Sequence, residues 1–270
     1  MVGDVAAELD VEARGERRGV LGVLHLGVDL EQLEGAPLGI KDLFCTEGVR
    51  TTAGSRVLGE FAPTYESTVT SQLWRDGALM LGKLNMDEFA MGSSNETSAF
   101  DPVVSPWRRG NEDSRLTPGG SSGGSASAVS AHICAAATAT DTGGSILSPA
   151  VRCGVVGLRP TFGRVSRHGV MAAGWTLDKV GPICRSVEDC AIVLRAIAGP
   201  DDRDLAVASD APFGWDSREP ARGKRVGVVP GLLEAEPDAE TRANALRAVD
   251  ALRQAGLDVR EVTVPQSDLT

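Results

Sequence analysis

Two glycine turns that carry serine constrain this chain more than any other feature. Pro118-Gly119-Gly120-Ser121-Ser122-Gly123-Gly124-Ser125 is followed by Asp141-Thr142-Gly143-Gly144-Ser145, and the segment between them is built of small residues. Glycine lets the backbone turn where other residues resist and lets main-chain N–H groups approach a ligand closely. A Gly-Ile-Lys-Asp run, Gly39 to Asp42, lies upstream. Two hydroxyls, one amine and an N–H-rich turn are the parts of a serine nucleophile activated by lysine in place of histidine.

Other readings of the turns fit less well. A flexible linker would not sit between two structured-looking segments. A phosphate-binding loop needs a lysine at its end, whereas Gly124 is followed by Ser125 and Ala126. The dinucleotide-binding spacing fails, because no strand pattern leads into the glycines. Histidine catalysis has few candidates: His25, His132 and His168 are the whole set, and the last two read as structural. No Gly-x-Ser-x-Gly nucleophile elbow stands where a strand would end.

Composition removes further classes. A net charge of −10 argues against a broad basic surface for nucleic acid, and 4% aromatic residues against a base-stacking platform. Cys45, Cys134, Cys153, Cys184 and Cys190 are odd in number, without a Cys-x-x-Cys pair or histidine at ligand spacing. They read as reduced core thiols of a cytoplasmic protein, with no metal and no cofactor in this chain. No apolar run reaches the ~20 residues of a membrane span. Asp4, Glu8, Asp10 and Glu12 open the chain, which is not the plan of a signal peptide.

The pattern along the chain alternates helix and strand, as in an α/β sheet. Residues 1–20 read as a short helix, and Val20 to Val28 as a strand or a helix end. Gly35 to Phe44 reads as a strand with Lys41 near its end, Ser67 to Trp74 as a helix, and Ala78 to Leu84 as a buried strand. Asn111 to Thr117 is a surface loop. Gly124 to His132 is a small-residue helix, Cys134 to Thr140 a short strand, and Ser145 to Cys153 a helix with Pro149 near its first turn. Val187 to Ile197 carries Val187, Ala191, Leu194 and Ile197 on one face. Pro200 to Gly223 is a long connection. Arg225 to Val229 and Leu257 to Val264 are strands flanking a helix over Asp238 to Ala255, where Leu246, Val249 and Leu252 align and Gly256 stops the helix.

These motifs together resemble the amidase signature family. Gly39 to Asp42, Pro118 to Ser125 and Asp141 to Ile146 carry the resemblance, and Ser121 and Ser145 stand 24 positions apart, as in that family. Lys83-Leu-Asn-Met-Asp-Glu-Phe-Ala-Met-Gly-Ser-Ser looks most like the branch formed by the A-type subunits of the glutamyl-tRNA(Gln)/aspartyl-tRNA(Asn) amidotransferases. Cys153 to Ser166 and Leu177 to Pro182 continue the match, which covers roughly residues 33–265.

The resemblance implies a mixed central sheet flanked by helices, over 31–270, behind a variable segment 1–30. It implies Ser145 as nucleophile, Ser121 as a bridging serine on a cis peptide, and Lys41 as base. It places an oxyanion hole at Thr142, Gly143, Gly144 and Ser145, and substrate contacts at Met91, Gly92, Ser93, Gly119 and Gly120. Met91 has core packing as its alternative, and Ser122 and Ser125 are expected to brace the loop backbone. The implied reaction is amide hydrolysis through a seryl acyl-enzyme, with glutamine as substrate and B and C subunits as partners. ATP and Mg would be used by one of those partners. The alternatives are a stand-alone amidase and an inactive relative that binds a partner. Departures are Leu147, where relatives carry Arg, and a longer loop between Trp107 and Pro118. Relative to the family, the chain is expected to lack the C-terminal part of the fold and so to expose an apolar sheet edge.

Overall fold

The computed structural model describes residues 33–110, 114–208, 213–216 and 218–264. The expected helix in 1–20 and the element at Val20 to Val28 lie outside the described residues. The chain divides into two compact units between Gly214 and Trp215.

In the first unit, β1 (Pro37–Lys41) lies parallel to both β2 (Leu79–Leu84) and β3 (Ala136–Asp141). β3 continues antiparallel to β5 (Lys179–Cys184), which pairs with the short β4 (Val156–Gly157), so the order is β2-β1-β3-β5-β4. Helices α1 (Thr68–Arg75) and α4 (Val187–Ile197) cover a core of Leu38, Ile40, Phe44, Leu73, Val180 and Ile197. A second cluster joins Ala126 and Val129 of α2 (Gly123–Ser130) to Ala137, Ala139, Ile146 and Ile183, next to α3 (Leu147–Cys153). Alanine dominates this second cluster, which lets α2 and the sheet approach closely.

Local chemistry explains the helix ends. Ser67 and Ser186 cap α1 and α4 by accepting the N–H of Thr70 and Asp189. Glu188 and Asp189 at the start of α4 and Arg195 at its end match the helix dipole. α3 stops at Gly154, which turns left-handed at φ 66°.

Three expectations need correction. β2 is not buried: it is an edge strand paired with β1, and Leu79 and Leu81 face outward, 58% and 55% exposed. Val187 begins α4 but is exposed, while Ala191, Leu194 and Ile197 form the buried face. β5 was not foreseen, because Gly181 and Pro182 are poor strand formers. Both fit here, since Pro182 uses its carbonyl to accept the Leu158 N–H, and Gly181 leaves room for the Leu158 carbonyl.

The second unit contains β6 (Arg225–Val228) and β7 (Asp258–Glu261), which pair in parallel, with α5 (Pro230–Glu234) and α6 (Ala239–Gln254) between them. Asp238 caps α6 by accepting the Thr241 N–H at 2.7 Å. Leu246, aligned in the sequence with Val249 and Leu252, is half exposed, and α6 contains no buried residue. Among the described residues no helix is long and apolar enough to cross a membrane.

Candidate active site

Lys41 ends β1 with its side chain fully buried. Its Nζ lies 2.9 Å from Ser121 Oγ, 2.8 Å from Ser122 Oγ and 2.8 Å from Thr140 Oγ1. Its main-chain N–H donates to Thr138 Oγ1 at 2.9 Å, so two threonines on one face of β3 hold both ends of the residue. The three hydroxyls around Nζ are neutral and do not replace the water that a charged ammonium loses. Burial therefore pulls the Lys41 pKa down to about 7, with Asp87, Asp141 and Asp178 pulling the other way. A neutral amine has two N–H donors and one lone pair, so one of the three hydroxyls must donate to it.

The first glycine turn delivers the hydroxyls. Its Gly120–Ser121 peptide is cis, and the Ser121 carbonyl accepts the Asp87 N–H at 3.3 Å. Gly119 adopts φ 80° and Gly120 packs directly against the Asp87 carboxylate, leaving no room for a side chain at Gly120. Ser125 Oγ donates to the Thr138 carbonyl at 2.9 Å, the bracing part expected of it. Ser122 does more than expected: it braces the Thr140 carbonyl at 3.3 Å and also meets the lysine.

The second turn connects β3 to α3. The Ser122 N–H donates to the Ser145 carbonyl at 3.3 Å, which joins the two turns. Asp141, fully buried, accepts the N–H groups of Gly144 at 2.8 Å, Ile146 at 2.9 Å and Leu147 at 3.4 Å, and meets Arg159 Nη1 at 3.4 Å. Burial pushes its carboxyl up, but these donors outweigh it and hold the group below the usual carboxylate range. Ser145 is thus held between two clamped residues. Gly144 departs from expectation, because its N–H is directed at Asp141 rather than at an incoming carbonyl. Thr142 Oγ1 donates to Asp178, whose carboxylate also accepts the Ala173 and Gly174 N–H groups.

Of the expected substrate contacts, Met91 is 67% exposed and so does not pack in the core. Ser93 is exposed, and Gly92 packs against Asp87 as Gly120 does. A recess beside Thr140 is lined by Ala90, Arg167, Met171, Trp175 and Asp178. Arg167 lies between the rings of Phe162 and Trp175 and is held by Asp204 through Nε at 2.7 Å and Nη2 at 2.8 Å.

Thr140, Asp87, Asp141 and Asp178 were not singled out from the sequence. Asp141 directly precedes the second turn and Thr140 directly precedes Asp141, so position alone was their signal. Asp87 and Asp178 stand inside the quoted motifs, where nothing local marks a buried carboxylate. Among the described residues no group of three or more His, Cys, Asp or Glu could hold a metal ion. All five cysteines are free and buried.

Comparison with known proteins agrees with this geometry. The Amidase family model matches residues 24–270. The A-type subunit of glutamyl-tRNA(Gln) amidotransferase from Azorhizobium caulinodans is 53% identical over 241 residues, 88% of this chain and 49% of that protein. Its counterpart in Methylorubrum populi is 55% identical over 238 residues, 87% of this chain and 48% of that protein. Among solved structures, the same amidotransferase component from Thermotoga maritima superposes with a TM-score of 0.79 at 39% identity, covering 86% of this chain and 51% of that one. Peptide amidase from Stenotrophomonas maltophilia gives 0.70 at 38% identity, covering 86% and 48%. The chain spans about half the length of the relatives it matches. With the model matched over most of the sequence, and the mixed sheet carrying a buried lysine against paired serine turns, this chain belongs to the Amidase family.

Proposed function

We propose that the chain carries the catalytic half-site of an amide hydrolase, with Lys41 as base, Ser121 as relay and Ser145 as nucleophile. The observation that carries this reading is the fully buried Lys41 amine, near neutrality in proton affinity and 2.9 Å from Ser121 Oγ. An ordinary lysine, at about 10.4, would hold its proton at neutral pH and could not accept another. A neutral Lys41 takes the proton of Ser121 as Ser121 takes that of Ser145. Ser145 Oγ then bonds to the amide carbon, the C–N bond breaks, and ammonia or an amine leaves with the returned proton. Water hydrolyses the resulting ester by the same relay in reverse.

The developing oxyanion would be met by the N–H groups of Thr142, Gly143 and Ser145, with the Gly144 N–H committed to Asp141. One such donor is worth about 3 kcal/mol in the transition state. Met91, Gly92, Ser93, Gly119 and Gly120 would border the substrate. The relatives' name supports glutamine as substrate, with ammonia passed to B and C subunits that use ATP and Mg, and residues 31–270 as one part of that enzyme's amidase domain. Five free buried thiols fit a cytoplasmic setting. Leu147 and the likeness to a peptide amidase favour a second reading, a stand-alone amidase on a small carboxamide. A fluorophosphonate probe should label Ser145, and Lys41→Ala should slow labelling by about 100-fold or more. Labelling unaffected by that substitution, or none in a folded sample, would leave the inactive, partner-binding reading in its place. A rise in glutaminase activity on adding a B-type partner separates the two substrate readings.

A further inference from the structure

The chain buries a second charge beside the lysine that the proposed chemistry leaves without a part. Asp87, just after β2, is fully buried. Its carboxylate accepts the Asn95 N–H at 2.9 Å and the Thr97 N–H and Oγ1 at 3.4 and 2.9 Å. Each of these donors is neutral. The carboxylate also lies against Gly120, where a Cβ would come 2.0 Å from Oδ2, and the Asp87 N–H holds the Ser121 carbonyl. The charge is therefore fixed directly behind the peptide that presents Ser121 to Lys41. Two other carboxylates face the amine, Asp141 at the end of β3 and Asp178 before β5. Asp141 has Arg159 beside it and Asp178 is bound to Thr142 and two N–H groups, so each is already engaged with the second turn or the loop beyond it.

We propose that Asp87 is a positioning residue for the Lys41–Ser121 pair: its buried carboxylate fixes the main chain of Ser121 and supplies the negative charge against which the amine takes up a proton. This rests on the proposed base role of Lys41. Without the charge, the amine would reach its neutral form at lower pH and bind the transferred proton less well.

The test is an NMR titration of the lysine side-chain Cε signals in the folded chain, which needs no turnover. Only Lys41, Lys83, Lys179 and Lys224 are present, and Lys41→Met identifies the signal. Asp87→Asn and Asp87→Ser, both neutral, should lower the Lys41 midpoint by roughly half a unit to one unit. Thr97→Val, which removes a donor but leaves the charge, should not lower it. A midpoint unchanged in the neutral variants, or lowered equally by Thr97→Val, would overturn the proposal. Failure of both neutral variants to fold would make Asp87 purely structural and overturn it too. Ser145 labelling in the wild-type chain reports separately on the base role itself.

Discussion

At the scale of the residue, burying an amine has a cost that depends on pH. Lys41 is lowered from 10.5 to about 7 by burial. Between those values the unfolded chain holds a proton that the folded chain has released, so stability rises with pH across that window. Below about 7 the full penalty of a buried ammonium remains. Lys41→Met removes the penalty, so chemical denaturation should find it more stable than wild type by a few kcal/mol near pH 6. That advantage should shrink steadily towards pH 10. An equal difference at both pH values would mean that the amine is not titrating in the fold. The lysine itself was legible from the sequence because its motif stands apart. Its basicity was not, since that depends on three carboxylates brought together from positions 87, 141 and 178.

At the scale of the element, local pattern served where side chains decide and failed where backbone approach decides. α4 carries its cap, its charges and its buried face within eleven residues, and its bounds were readable directly. β5 hid behind glycine and proline, whose fitness appears only once the Leu158 carbonyl is seen against the strand. Gly181→Ala would set a Cβ 2.1 Å from that carbonyl oxygen and 2.9 Å from Pro160 Cδ. Thermal or denaturant unfolding should show a loss of about 1–3 kcal/mol for Gly181→Ala, the usual range for overpacking. A neutral result would show that β4 and β5 separate freely. β2 misled for another reason: an apolar run looks alike in a central and an edge strand, and pairing partners are not written in the run.

At the scale of the whole molecule, burial differs between the two units. The first has two cores beneath four helices, whereas α6 of the second contains no buried residue. Elements with little burial open at low free energy, so amide exchange in 239–254 should be faster by at least about 100-fold than in α4 and β3. Equal protection would mean that α6 gains its burial elsewhere. The site belongs to the first unit alone: β1 supplies the amine, the loop before α2 the relay and the loop before α3 the nucleophile. The order of these pieces was legible because each carries its own motif, and the sheet order joining them was not. The most direct measurement is the pH dependence of fluorophosphonate labelling at Ser145, mapped by mass spectrometry. Labelling should rise with pH through a midpoint at about 7, the value at which Lys41 loses its proton, and should lose that midpoint in Lys41→Ala. Labelling at another residue, or a midpoint unchanged in Lys41→Ala, would contradict the relay.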